Sequence, residues 1–269
     1  MDEITLLEKI KTNLELYKIQ NKKQYFNLLK WINRLLRFAM FDHSAPRSYR
    51  AYSRGQIVKV DFGFNVGYEL GGVHYAVVVS KNDSTKSGTV SVIPLTSFKN
   101  KKLNRNELNL GSELYTLVDH KECAVLRDLN ISDIYKDKLS EELLAFKNKF
   151  ENKKVIIDKQ LESEFSTIFL ILFPGIKAEK IDYQTLKSAT IENKKFREKL
   201  FLQAINLKNE ISYMKPGSVA KVEQLQLISK NRIVSPIKSS DALHGIHLGS
   251  DNMELINSKI KELFIFDNR

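Results

Sequence analysis

The feature that most limits the fold is the division of strand-like sequence into two stretches, one before residue 112 and one after residue 215, with helical periodicity between them. In the first stretch Ile57, Val58, Val60 and Phe62 make a β-rich run, and Gly63, Gly67, Gly71 and Gly72 punctuate the loop that follows. Tyr75-Ala76-Val77-Val78-Val79-Ser80 is a run of β-formers too short for a helix. The polar turn 81–88 joins it to Thr89-Val90-Ser91-Val92-Ile93-Pro94-Leu95-Thr96, which predicts a hairpin. A weaker strand is expected over 107–110. In the second stretch 218–228 and 232–237 read as strands, followed by a loop holding His244, Gly245 and His247. A closing helix is expected from Asp251 to Phe264, capped by Ser250 or Asp251, with Met253, Ile256, Ile260 and Leu263 on one face.

The remainder is helical in pattern. From Ile4 to Phe41 apolar residues recur at three- and four-residue steps, and the polar stretch 20–23 divides them into two helices. Residues 43–53 read as a linker. Within 112–215 the expected helices are 138–157, 159–173 and 183–213. No internal repeat or low-complexity tract is present.

Charge and cysteine content narrow the function. An excess of 43 Lys+Arg over 32 Asp+Glu, a net charge of +11, suits a polyanionic partner, with nucleic acid first among them. Cys123 is the single cysteine, so neither an intramolecular disulfide nor a multi-cysteine metal site is available, and a reducing, cytoplasmic setting is expected. The charged amphipathic start differs from a signal peptide, and the apolar run 168–173 is too short to cross a bilayer, so no membrane role is expected.

Several segments, in order, resemble the MazF/PemK/Kid family of toxins from type II toxin–antitoxin pairs. Arg54-Gly55-Gln56-Ile57-Val58 is similar to the family's opening strand, and Asp61-Phe62 with Val66-Gly67-Tyr68-Glu69-Leu70-Gly71-Gly72 to its glycine-rich loop. Residues 75–80 and Val90-Ser91-Val92-Ile93-Pro94-Leu95-Thr96-Ser97 match its next two strands. Ser218-Val219-Ala220-Lys221-Val222-Glu223-Gln224-Leu225 matches a later segment. The resemblance implies an α+β chain built on an SH3-like small β-barrel, split between 54–111 and 216–269, with an N-terminal helical extension 1–53 and a helical insertion 112–215. It further implies a homodimer, a cognate antitoxin protein, single-stranded RNA as substrate, and cleavage by the substrate's own 2′-hydroxyl with no metal or other cofactor. An insertion between barrel strands must leave and return at neighbouring points, which a helical cap satisfies.

The same resemblance marks candidate residues, each with a plainer reading beside it. Glu69, where the family has Glu, is a proton acceptor or base-contacting group, or else a solvated loop carboxylate. His74 stands where many members place Arg; it is a general acid or base, or a structural histidine at a strand start. Thr96 and Ser97 end a strand where the family contacts the scissile phosphate through a hydroxyl, although Thr is also a good strand former. Lys221 and Glu223, expected to alternate along one strand and so share a face, replace an Arg and Asp of Kid-like members; they form an acid–base pair or a salt bridge. Arg54, Gln224 and Tyr75 complete the expected substrate contacts, with Arg54 and Gln224 also read as braces of the barrel. His244 and His247 lack a third metal ligand nearby and read as a surface loop.

The N-terminal segment carries Lys22, Lys23, Lys30, Arg34 and Arg37 beside Phe26 and Trp31, and its apolar stripe is expected to pack on the barrel. Three functions remain: a growth-arresting endoribonuclease toxin, a toxin-like inhibitor of a topoisomerase, and a non-catalytic RNA-binding regulator. The last is suggested by His74 in place of arginine.

Overall fold

The computed structural model describes residues 2–42, 48–99, 102–149 and 183–265. They form two compact units: Met1–Gly111, Gly217–Ile237 and Gly245–Arg269, and Ser112–Pro216 with Lys238–His244. The first unit therefore joins the N-terminal helices to both strand-bearing stretches.

Two helices open that unit, α1 (Glu3–Gln20) and α2 (Lys22–Asp42). Asp2 caps α1 by accepting from the Thr5 N–H at 2.8 Å. Asn21 makes the break: its extended backbone cannot continue α1, its N–H still bonds the Tyr17 carbonyl at 2.9 Å, and its side chain accepts from the Gln24 N–H at 3.1 Å. One polar residue thus ends one helix and starts the next.

The strands are β1 (Ile57–Asp61), β2 (Val73–Val78), β3 (Thr89–Ser97), β4 (Glu107–Gly111), β5 (Ser218–Lys221), β6 (Gln226–Ser229) and β7 (Ile233–Ser235). They pair antiparallel in the order β4-β5-β3-β2-β1-β7, with β6 on β3. The distant stretches do meet, through β5 and β6 on β3 and β7 on β1. Among the described residues the sheet is not closed, since its path ends at β4 and β7, which do not pair with each other, so the expected SH3-like barrel is not confirmed. Instead both faces of an open sheet are covered. On one, Val58, Val60, Phe62, Ala76, Val78, Val90, Val92, Ile228 and Ile233 form a core with Tyr52. On the other, Ile57, Val77, Ile93, Leu95 and Leu110 are buried, and α5 (Ser250–Phe264) packs toward β4 with Met253 and Ile256 inward.

Several local expectations change. The run 218–228 is not one strand: a 3-10 turn, Val222–Gln224, separates β5 from β6. Helix α5 is capped by Gly249 with no side-chain cap bond, not by Ser250 or Asp251. Of the expected linker, residues 43–47 lie outside the described residues, and the part that follows is packed, with Tyr52 only 5% exposed.

In the second unit α3 (Glu113–Lys149) absorbs the beginning of the helix expected over 138–157 and starts far earlier; the helix expected over 159–173 lies outside the described residues. α4 (Tyr183–Tyr213) agrees with expectation. The two run antiparallel: buried Ser132 donates to Asn193 Oδ1 at 2.6 Å, while farther along Lys121 of α3 and Asn206 of α4 both bond to the 240–242 carbonyls. At their other end Lys121 donates to the carbonyls of Ala242 and His244 at 2.9 and 2.7 Å, which holds 238–244 to α3.

The N-terminal hairpin is fastened to the root of the glycine-rich loop. Gly63, at φ +86°, lies so close beneath the indole of Trp31 that a Cβ there would come within 2.5 Å of the ring. Arg232 spans the junction, its guanidinium 5.1 Å from the Trp31 ring while it donates to the Asp61 and Phe62 carbonyls, and Arg34 pairs with the Asp61 carboxylate. Gly63→Ala is expected to displace the hairpin, both by contact and by its positive φ. Because Trp31 is the single tryptophan, the check is a red-shifted and more quenchable emission from the variant with the β-sheet circular dichroism retained.

Candidate functional site

The sheet register assembles part of the expected site. His74 and Ala76 share a face of β2, Ala76 is opposite Pro94, and Pro94 and Thr96 share a face of β3. Thr96 is opposite Val219, and Lys221 lies one same-face step along β5. Thus His74, Thr96 and Lys221, from three strands, lie on one face, on the side that carries the valine core. His74 marks the end of that core, with its ring 6.4 Å from Phe62.

Lys221 does not pair with Glu223. The 3-10 turn at Val222 breaks the alternation that would have put them on one face, and Lys221 instead forms an ion pair with Glu107, opposite it on β4. The Lys221 hydrogen bond holds the Glu107 carboxyl below the usual carboxylate range. Glu223, exposed, accepts from Asn106 at 2.8 Å. Glu107 is the functional candidate that sequence reasoning missed; the weak strand was visible, but nothing local tells which residue it sets opposite Lys221.

His74 is half-buried, and that burial pushes its pKa below the ordinary 6.5, more than the hydrogen bond to the Gly71 carbonyl raises it. In the neutral ring Nε2 carries the proton and donates to Gly71 O at 3.0 Å, which leaves Nδ1 with a lone pair. This ring is prepared to accept a proton at neutral pH.

Glu69 and Glu223 come together elsewhere, lining a groove of about 620 Å³ with Asn65, Tyr68, Gln224 and Gln226. Gln224 braces that groove: its Oε1 accepts from the Leu70 N–H at 2.9 Å and its Nε2 donates to Tyr68 O at 3.3 Å. Neither His74 nor Thr96 lines it.

Three expected contacts fall outside the His74 face. Arg54 donates to Val79 O and Asn257 Oδ1, so it ties the far end of β2 to α5. Tyr75 points to the opposite face from His74, with the Lys59 ammonium 5.2 Å from its ring centroid. Ser97 is exposed at the end of β3 and alternates away from Thr96. His247 contacts Ser53 Oγ at 2.6 Å and Gly245 O at 3.1 Å, while His244 belongs to the second unit. Among the described residues no group of three or more His, Cys, Asp and Glu side chains is placed to hold a metal ion, and no helix is long and apolar enough to cross a membrane.

Residues 53–142 match the family of PemK-like, MazF-like toxins of type II toxin–antitoxin systems. The resemblance read from the first strands is thereby shown over a segment running from the approach to β1 into α3, while β5 to β7 and α5 lie beyond the matched residues. No curated protein matches the chain.

Proposed function

We propose, from the toxin-family match across β1 to β4, that this chain is the toxin of a type II pair and an endoribonuclease that cuts single-stranded RNA. The observation that carries the reading is the common sheet face of His74, Thr96 and Lys221, one residue each from β2, β3 and β5. In this reading His74 Nδ1 takes the proton from the RNA 2′-hydroxyl, and the 2′-oxygen attacks the adjacent phosphorus. The Thr96 hydroxyl and the Lys221 ammonium meet the charge that builds on the phosphorane oxygens. As the bond to the 5′-oxygen breaks, Lys221 supplies the proton that oxygen needs, and Glu107 keeps the lysine aimed along the sheet. Products are a 2′,3′-cyclic phosphate and a free 5′-hydroxyl.

Glu69 and Glu223 serve recognition rather than proton transfer in this reading. Both are exposed in a separate groove, where carboxylates accept from base amino groups. The excess of basic residues supplies the long-range attraction for RNA. A small antitoxin protein is the partner the family implies.

The test is incubation of the purified chain with single-stranded RNA in EDTA. Cleavage with cyclic phosphate ends is expected; salt-sensitive binding without products would leave a non-catalytic RNA-binding protein. The pH profile adds a second reading. Because the folded His74 pKa lies below 6.5, kcat/KM should hold level through neutral pH and fall on the acid side, with an apparent pKa under 6.5. Stability follows the same sign: above 6.5 the ring is neutral folded and unfolded, and as pH drops toward the folded pKa the unfolded chain binds more protons, so His74's contribution is lost in acid.

A further inference from the structure

A second groove is larger than the one that holds Glu223. It lies between the helical hairpin and the glycine-rich loop and encloses about 830 Å³, with Tyr17, Gln24, Asn27 and Lys30 on the hairpin side and Asn65 and Glu69 on the loop side. That volume is within the range of small-ligand sites and exceeds what one nucleotide needs. Its chemistry is mixed in a particular way. Tyr17, held edge-on to Phe64 at 6.3 Å, presents an aromatic ring, the three amides present paired donors and acceptors, and Lys30 is an exposed ammonium. Aromatic faces with amide groups read unstacked bases, and a lysine at the rim takes phosphate.

The walls are also fixed before any ligand arrives. The Trp31–Gly63 contact, the Arg34–Asp61 pair and Arg232 set the hairpin against the loop, and Gln24 and Asn27 are linked by a 3.4 Å hydrogen bond. A preformed groove loses less entropy on binding. Asn65 and Glu69 line this groove and the Glu223 groove alike, so both border the same loop residues.

We propose that the α1–α2 hairpin and the glycine-rich loop form a second single-stranded RNA subsite, which takes a nucleotide flanking the cleaved step and gives the hairpin a part in choosing the RNA. Gln24 and Asn27 read the base edge, Tyr17 packs on its face, and Lys30 holds a neighbouring phosphate. The inference rests on the ribonuclease reading for its biological meaning, but the binding it describes is measured separately.

The experiment compares the full chain with Asn27→Ala/Lys30→Ala and with Lys11→Ala, which removes a charge outside the groove. The binding probe is a 2′-O-methyl RNA of about 12 nucleotides, within the site sizes of such grooves, which lacks the nucleophile and cannot be cut. The double variant is expected to bind about thirtyfold more weakly, the low end for losing one charge-assisted and one neutral hydrogen bond. Its log-affinity against log-salt slope should be shallower by about 0.7, the value for one phosphate contact on a single strand. Lys11→Ala should leave both unchanged. In cleavage the double variant should raise KM on long RNA, shift the preferred flanking base, and leave a trinucleotide substrate unaffected. Equal binding by the double variant and the parent, or equal losses from both variants, would overturn the subsite while leaving nuclease activity intact. A parent chain that binds the probe in this manner but cuts no RNA would instead remove the ribonuclease reading and keep the subsite.

Discussion

His74→Ala is expected to lower kcat/KM for RNA cleavage by about 10²- to 10⁴-fold, the range for loss of a positioned general base, without unfolding the chain. The side chain is half-buried at the loop-proximal end of β2, where it donates to the Gly71 carbonyl, and its removal leaves the valine core beyond Ala76 undisturbed. Cleavage rate by 3′-end analysis and thermal melting by circular dichroism, measured together, separate chemistry from folding. His74→Arg is the sharper variant. It places at this point the cation that the resemblance implies for many members of the family but removes the imidazole, so any activity that remains should lose its acid limb. An unchanged profile in that variant would show that the proton acceptor is another residue.

The largest effect on stability is expected at Lys230. Its ammonium and the Asp83 carboxylate are 2.8 Å apart with side chains only 3% and 2% exposed. Lys230 also donates to Ser84 O at 2.8 Å, and Asp83 accepts from the Tyr52 N–H at 2.8 Å. This polar knot joins the 81–88 turn, the packed segment before β1 and the turn after β6, beside the β3–β6 pairing that sets Thr89 opposite Ser229. Removing one partner leaves the other charge buried without compensation, so Lys230→Ala should cost about 3–5 kcal/mol, read from denaturant midpoints. Replacing both partners together, Lys230→Met with Asp83→Leu, should recover most of that loss, because the expensive desolvated charges are then both gone. A double variant as unstable as the single one would mean that the bonds to Ser84 and Tyr52, rather than the ion pair, carry the cost.

Much of this site was legible along the chain, in pieces. The glycine-rich loop, the strand before it and the hairpin after it are local consequences of side-chain period and turn chemistry, and the family match follows the same segment. Gln224 is expected to brace the barrel or to contact substrate, and in the structure its amide holds the loop carrying Glu69. Lys221 and Glu223 show why the rest was not legible. Their two-residue spacing implies a shared face only if the backbone stays extended, and the turn at Val222 breaks that condition. Arg54 carries the same lesson from the other side: a residue in a family motif can be spent on Val79 and Asn257, at the end of the sheet away from His74.

The sequence by itself determined most of the segments that extend or coil, though not the turn at Val222 or the early start of α3, and which family its first strands resemble, because backbone propensity and apolar periodicity act over a few neighbouring residues. Only the tertiary structure decided that β5 lies against β3 and β4, that Lys221 therefore faces Glu107, that the sheet stays open, and that Trp31 rests on Gly63. Those outcomes depend on strand register and on close packing between segments far apart in the chain, where a single-residue slip would turn every side chain to the other face.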